Sequence, residues 1–188
     1  LLMGRLVMPG TALGAWMTHG LMSALRRVPR LRRLLEELEI KPAHAFKRGL
    51  LAAGGVSRLR RGSLLAQGWV RRAVGQAPVL SDEVLGEQLS VIGFGVDPAR
   101  HLAPGLAERW LRAGGRFVQV DPRGRACTPS SSERWEDVSG DLMPRYAPMD
   151  WIAVVRPDRA VIHDGPAAAV SRLVGESLDL LAAGEPIR

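Results

Sequence analysis

The chain has 188 residues, 46% hydrophobic and 24% charged, which supplies one good core, or one domain and an appendage, and excludes a disordered polypeptide. Its formal net charge of +7 rests on arginine, with only Lys41 and Lys47 as lysines, and the arginines of the densest run lack interleaved aromatics to stack on bases, which argues against a nucleic-acid partner. The single cysteine, Cys127, excludes an internal disulfide and any Cys-x-x-Cys redox or zinc site, and places the chain in a reducing, cytoplasmic compartment.

The chain opens at Leu1, not at a methionine, and is read as a piece of a longer protein. Residues 6–25 carry no formal charge for a length that would span a bilayer. Pro9, three glycines, Thr11, Thr18, His19 and Ser23 dilute the stretch, while Leu13, Trp16, Met17, Leu21, Ala24, Leu25 and Val28 repeat at helical spacing, so a core-facing helix over 13–28 is expected and not a membrane span. Pro29 separates it from a second helix over 30–39, with Leu31, Leu34, Leu35 and Leu38 on one face and Pro42 at its end. Arg32 and Arg33 fall four residues before Glu36 and Glu37, as on a solvated, ion-paired helix face. A glycine-rich passage over 47–72 follows, in which short strands and turns are expected without assignable positions.

The second half is more legible. Leu89–Phe94 is an apolar strand, and Leu102 to Ala113 a helix with Leu102, Leu106, Ala107, Trp110 and Leu111 as its apolar face, stopped by Gly114 and Gly115. The run RFVQV (116–120) is a second strand, parallel to the first across this crossover. In the irregular passage 121–148, SSSE (130–133) suits a short capped helix. DWIAVV (150–155) and RAVIH (159–163) flank RPD as an antiparallel hairpin, and 165–184 is a helix with Pro166 in its first turn and Val170, Leu173, Val174, Leu178 and Leu181 on one face. This order, β-α-β then β-β-α, predicts an α/β, thioredoxin-like mixed sheet over 76–188, preceded by an α-helical segment over 1–75. Pro148 falls before the hairpin, where a thioredoxin has its cis-proline, and the loop after the first strand has no redox cysteine.

That loop, GFGVDP (93–98), invites a dinucleotide reading. A Rossmann fingerprint needs a third glycine where Pro98 stands; Asp121 mimics the ribose-binding acid, but a hairpin follows where a further crossover is required. The loop is therefore read as a turn. His19, His44, His101 and His163 lack metal-ligand spacing, and Glu36, Glu37 and Glu39, or Glu133, Glu136 and Asp137, read as solvated faces and not as acid/base pairs. Ser130, Ser131 and Ser132 have no nucleophile elbow, and Trp110 and Trp151 read as core.

Several motifs in order, GSLLAQGWV (62–70), LSDEVLGEQLSVIG (80–93), LSVIGFGVDP (89–98), WLRAGGRFVQV (110–120) and WIAVVRPDRAVIHDGP (151–166), with IKPAHAFKRGLL (40–51) upstream, resemble the C-terminal portion of the FAD-dependent aromatic hydroxylases. The 3-(3-hydroxyphenyl)propionate hydroxylase branch, within the phenol and polyketide hydroxylase group, is the nearest in pattern. One departure is Ala66-Gln67, where the family often has Pro-Gln. The resemblance implies a parent monooxygenase with FAD in an upstream domain, reduced by NADH, whose flavin hydroperoxide hydroxylates an activated phenol ring. It also implies that residues 1–75 are a remnant of the catalytic region and 76–188 a structural or assembly domain, with the upstream FAD-binding domain or a second copy as partner. The family's flavin motifs match nothing in this chain, so no catalytic, cofactor-binding or metal-binding residue is assigned, no cofactor is expected here, and the chain is expected to be inactive alone. A standalone, redox-inactive thioredoxin-like interaction module is the alternative reading.

Overall fold

A computed structural model describes residue 46 and residues 49–125 and 130–184. Their strands and helices are β1 (Trp69–Arg71), β2 (Val79–Leu80), α1 (Ser81–Leu85), β3 (Leu89–Phe94), α2 (Pro104–Arg112), β4 (Gly115–Pro122), β5 (Glu133–Asp137), β6 (Trp151–Val155), β7 (Val161–Pro166) and, after a single 3₁₀ turn at Ala167–Ala169, α3 (Val170–Gly184). The apolar runs β3 and β6 are buried almost throughout, as strands covered on both faces must be. Helix α2 starts on Pro104, whose missing N–H costs nothing at a first turn.

One mixed sheet runs β2-β1-β5-β4-β3-β6-β7. β3 is parallel to β4 and antiparallel to β6, and β6 and β7 form the hairpin, so the run β4-β3-β6-β7 with α2 and α3 is the thioredoxin-like arrangement that the order of elements predicts. The connection between its halves differs from expectation. SSSE opens no helix: Glu133–Asp137 form β5, parallel to β4, because Trp135 and Asp137 alternate inward while Glu133 and Glu136 meet arginines. The cis peptide among the described residues precedes Pro144, not Pro148.

Each face of the sheet has its own core. On one, α2 and α3 bring Trp110, Val170, Leu173 and Val174 onto Val91, Ile152, Val154 and Ile162. On the other, Ile92, Phe94, Val118, Val120 and Ala153 are covered by loop and short-helix residues, among them Leu59, Leu65, Leu85, Leu142 and Met143. The edge of β7 is occupied by the segment preceding β1: Gly62 N donates to Val161 O at 2.8 Å, Val161 N to Ser63 O at 3.0 Å and Ala52 N to Ile162 O at 3.1 Å. A bare edge strand is thus avoided.

Compactness divides the chain into Leu1–Ala43 and His44–Arg188. Residues 49–75, grouped by their glycine-rich texture with the helical segment, lie with the sheet. The helices expected over 13–28 and 30–39, the uncharged stretch 6–25, His19, His44, Glu36, Glu37, Glu39 and Cys127 fall outside the described residues. Among the described residues no helix is long and apolar enough to cross a membrane.

Candidate functional site

In open α/β sheets, ligands bind beyond the carboxyl ends of the strands where the strand order changes direction. Here that place is the end of β3, flanked by parallel β4 and antiparallel β6, and it carries the Gly93-Phe94-Gly95 turn. A Cβ at Gly93 would lie 2.1 Å from the Val96 carbonyl oxygen and 2.8 Å from Pro98 Cδ, so the glycine lets the loop fold back onto its own strand. Gly95 takes φ +71°, and a Cβ there would meet Met149 Cε at 2.4 Å. Its N–H donates to Val120 O at 2.6 Å, and its carbonyl accepts from Arg125 Nη1 at 2.8 Å.

Asp97 completes the turn. Its carboxylate accepts from Ala99 N (3.0 Å), Ser131 N and Oγ (both 2.8 Å) and the Ser132 hydroxyl. Burial alone would raise its pKa, but the hydrogen bonds from Ser132, Ser131 and Ser130 outweigh it and hold Asp97 down at about 2. An ionised carboxylate therefore sits at the loop where a pyrophosphate would have to lie, the reverse of the electropositive cradle such a ligand needs. The turn after β3 does not fit the phosphates of FAD or NADH. Ser130–Ser132, which offered no role as nucleophiles, tie the passage before β5 to the loop after β3.

Further along the same strand ends, a pocket of about 220 Å³ is lined by Arg72, Asp121, Arg125, Arg134 and Glu136, among others. Its acids are committed. Asp121 pairs with Arg134 and accepts from Gln119 Nε2 at 3.0 and 3.1 Å, so it is not poised for a ribose. Glu136 takes Arg71 Nε and Nη2 at 2.6 and 3.2 Å and Gly124 N at 2.9 Å; the Arg71 bond first, then that of Gly124, lowers its pKa. Glu133 bridges Arg72 and Arg116, and the Arg72 guanidinium lies 4.9 Å above the Trp135 ring. Asp137 corrects the expectation of a uniformly solvated acidic face: it is fully buried and accepts from Gly140 N, Leu142 N and Met143 N at 2.8–2.9 Å, satisfying amides of the turn after β5.

A second polar centre lies on β7. Asp164, wholly buried, accepts from Ser57 Oγ (2.6 Å), Arg58 N (2.7 Å), Leu59 N (2.8 Å), Trp151 Nε1 (3.1 Å) and Arg61 Nε (3.2 Å). Burial opposes ionisation, but these hydrogen bonds prevail and its pKa is lowered. Next to it, His163 accepts the Asp164 N–H on Nδ1 at 3.0 Å and places Nε2 2.7 Å from Glu176, so its proton resides on Nε2. Burial, then the Arg61 and Arg172 charges, lowers the His163 pKa against the pull of Glu176. His101 is exposed on the loop before α2, and Trp110 and Trp151 are core residues, as expected. Among the described residues no group of histidine, cysteine and acidic side chains has the clustering of a metal site. The Asp97 and Asp164 centres were invisible in the sequence, since Ser131 stands 34 residues from Asp97, and Ser57, Arg58, Leu59 and Arg61 more than 100 from Asp164. The arrangement ties loops to the sheet: its carboxylates serve as acceptors for backbone and guanidinium donors.

Residues 62–180 match the family described as the HcaD C-terminal domain. The chain is 32% identical over 171 residues to the 3-(3-hydroxy-phenyl)propionate/3-hydroxycinnamic acid hydroxylase of Klebsiella pneumoniae subsp. pneumoniae, covering 87% of this chain and 30% of that protein. It is 30% identical over 179 residues to the 3-(3-hydroxy-phenyl)propionate/3-hydroxycinnamic acid hydroxylase 2 of Burkholderia vietnamiensis, covering 89% and 32%. The crystal structure of the flavin-dependent monooxygenase PieE in complex with FAD and substrate aligns with a TM-score of 0.56 at 16% identity, over 96% of this chain and 32% of that one, a likeness of fold. The chain thus spans about 30% of the length of the curated relatives it matches.

Proposed function

The chain belongs to the HcaD C-terminal domain family, and we propose from that premise that it is the C-terminal, non-catalytic portion of a flavin-dependent aromatic-ring hydroxylase of the 3-(3-hydroxyphenyl)propionate hydroxylase kind. The observation that carries this reading is the asymmetry of the match, 87% of this chain against 30% of the relative. In it, the thioredoxin-like unit His44–Arg188 serves a structural or assembly role, and the residues before it belong to the end of the catalytic region. FAD and its NADH reductant act in the upstream part of a cytoplasmic parent, and the partner of this unit is that upstream domain. The hydrogen bonding at the end of β3 supports the non-catalytic role: the glycine turn is filled by Met149 and Arg125, and the acids beside it hold loops.

The test is the coding sequence upstream of Leu1. The proposal expects the same reading frame to continue into a Gly-x-Gly-x-x-Gly flavin fingerprint and a later Gly-Asp pair. An in-frame stop next to a start codon, with no such frame, would overturn it in favour of a standalone module.

A further inference from the structure

Met149 fills the turn at the end of β3, and its sulfur has defined neighbours there. Asp150 N donates to Phe94 O at 2.9 Å, which pins the residue before β6 against the end of β3. There the thioether lies over the bare face of Gly95, where a Cβ would come within 2.6 Å of Sδ. Arg125 Nη1, held on Gly95 O at 2.8 Å, stands 3.9 Å from the same sulfur. Met149 is 41% exposed, whereas Met143, the other methionine among the described residues, is 3% exposed.

We infer that Met149 is a peroxide-sensitive modification site, oxidised to the sulfoxide with Arg125 as its positioning residue. The sulfur lone pair attacks one oxygen of hydrogen peroxide, an S–O bond forms as the O–O bond breaks, and the transferred hydroxyl's proton passes to the departing hydroxide to give water. The sulfur loses two electrons and the peroxide gains them. The Arg125 guanidinium lies close enough to donate to the departing oxygen, and afterwards to the new sulfoxide oxygen, a far better acceptor than a thioether. Oxidation thereby draws Arg125 toward Met149 and away from the Gly95 carbonyl. The inference stands on this geometry and does not depend on the flavin reading.

The experiment treats the full chain with hydrogen peroxide and follows Met149 and Met143 sulfoxides by peptide mass spectrometry over time. Met149 is expected to oxidise at least about tenfold faster than Met143, since susceptibility follows exposure and environment. Arg125→Leu is expected to slow Met149 severalfold while leaving Met143 unchanged, and Arg125→Lys to restore most of the rate. Equal rates at Met149 and Met143 would overturn the inference, as would an undiminished Met149 rate in Arg125→Leu. A variant whose Met143 becomes fast has lost its fold; Arg125→Lys against the unaltered chain then decides, and a rate in Arg125→Lys as slow as a freely exposed methionine peptide would count against the inference.

Discussion

Replacing Asp164 by alanine removes the acceptor that fastens residues 57–61 to β7. Five donors converge on this carboxylate, two of them backbone amides and one the Arg61 guanidinium, with the Asp164 side chain wholly buried and that of Arg61 only 13% exposed. Arg61 also donates to the Ala52 carbonyl at 2.9 Å, so it stays in place when its counter-charge is gone. Removing one partner of such a buried pair costs about 3–5 kcal/mol, because an uncompensated charge and unpaired amides remain. A domain of this size loses roughly 2–4 °C of melting temperature per kcal/mol, so a fall of about 6–20 °C is expected. Thermal melts by circular dichroism at neutral pH measure it. Limited trypsin digestion provides the local readout, since loosening this segment frees the backbone at Arg58, Arg60 and Arg61 for cleavage before the sheet unfolds. The wild-type contribution has a defined pH dependence. The folded pKa lies below the ordinary carboxylate value, so the stabilisation is complete above that value and lost as pH falls through the folded pKa. A melting temperature within 2 °C of wild type, with no new tryptic cut, would refute the reasoning and show that the five contacts add nothing beyond solvation.

Other perturbations test separate parts of the account. The folded pKa of His163 is depressed, so stability is full above the unfolded value near 6.5 and declines as pH falls from there toward the folded value; His163→Gln should flatten that decline in pH-dependent melts. Tyr146 is a partly buried residue whose hydroxyl oxygen is buried and makes no hydrogen bond among the described residues, and Tyr146→Phe is expected to change stability by no more than about 1 kcal/mol, read by urea denaturation. A chain beginning at His44 is expected to fold cooperatively. One beginning at Ser81 lacks Leu59, Leu65 and Val70, each worth roughly 1.5–3 kcal/mol, and is expected to lose its cooperative melt.

The parts of the fold that could be read in the sequence are those whose signal is local. Leu89–Phe94, the α2 stripe with Leu106, Ala107 and Trp110, the hairpin around Arg156–Asp158 and the apolar face of α3 declare themselves through unbroken apolar runs or a period of 3.6 residues; Leu111, expected on the same stripe, is instead 56% exposed. β5 does not, since Glu136 and Glu133 become strand residues only once Arg71 of β1 and Arg116 of β4 stand beside them, and Arg134 only once Asp121 of β4 does. β1 and β2 are three and two residues long and carry no periodicity. The dependence of residues 57–61 on Asp164 spans more than 100 positions, so texture alone grouped them with the segment before. At the end of β3 the sequence supplied the glycine turn and the absence of a third glycine. Met149, Arg125 and Asp97 closing that turn is a tertiary fact.

The central claim is that this chain is a non-catalytic portion whose Gly-x-Gly turn holds no dinucleotide. Its most direct test is titration of the full chain with FAD and with NADH to about 1 mM each, following tryptophan fluorescence and the thermal midpoint. A ligand at about 100 times its dissociation constant stabilises by roughly 2.7 kcal/mol, a shift of about 5–10 °C here. The account predicts no saturable change with either compound; a saturable shift abolished by Gly95→Ala would contradict it and restore the turn as a binding site.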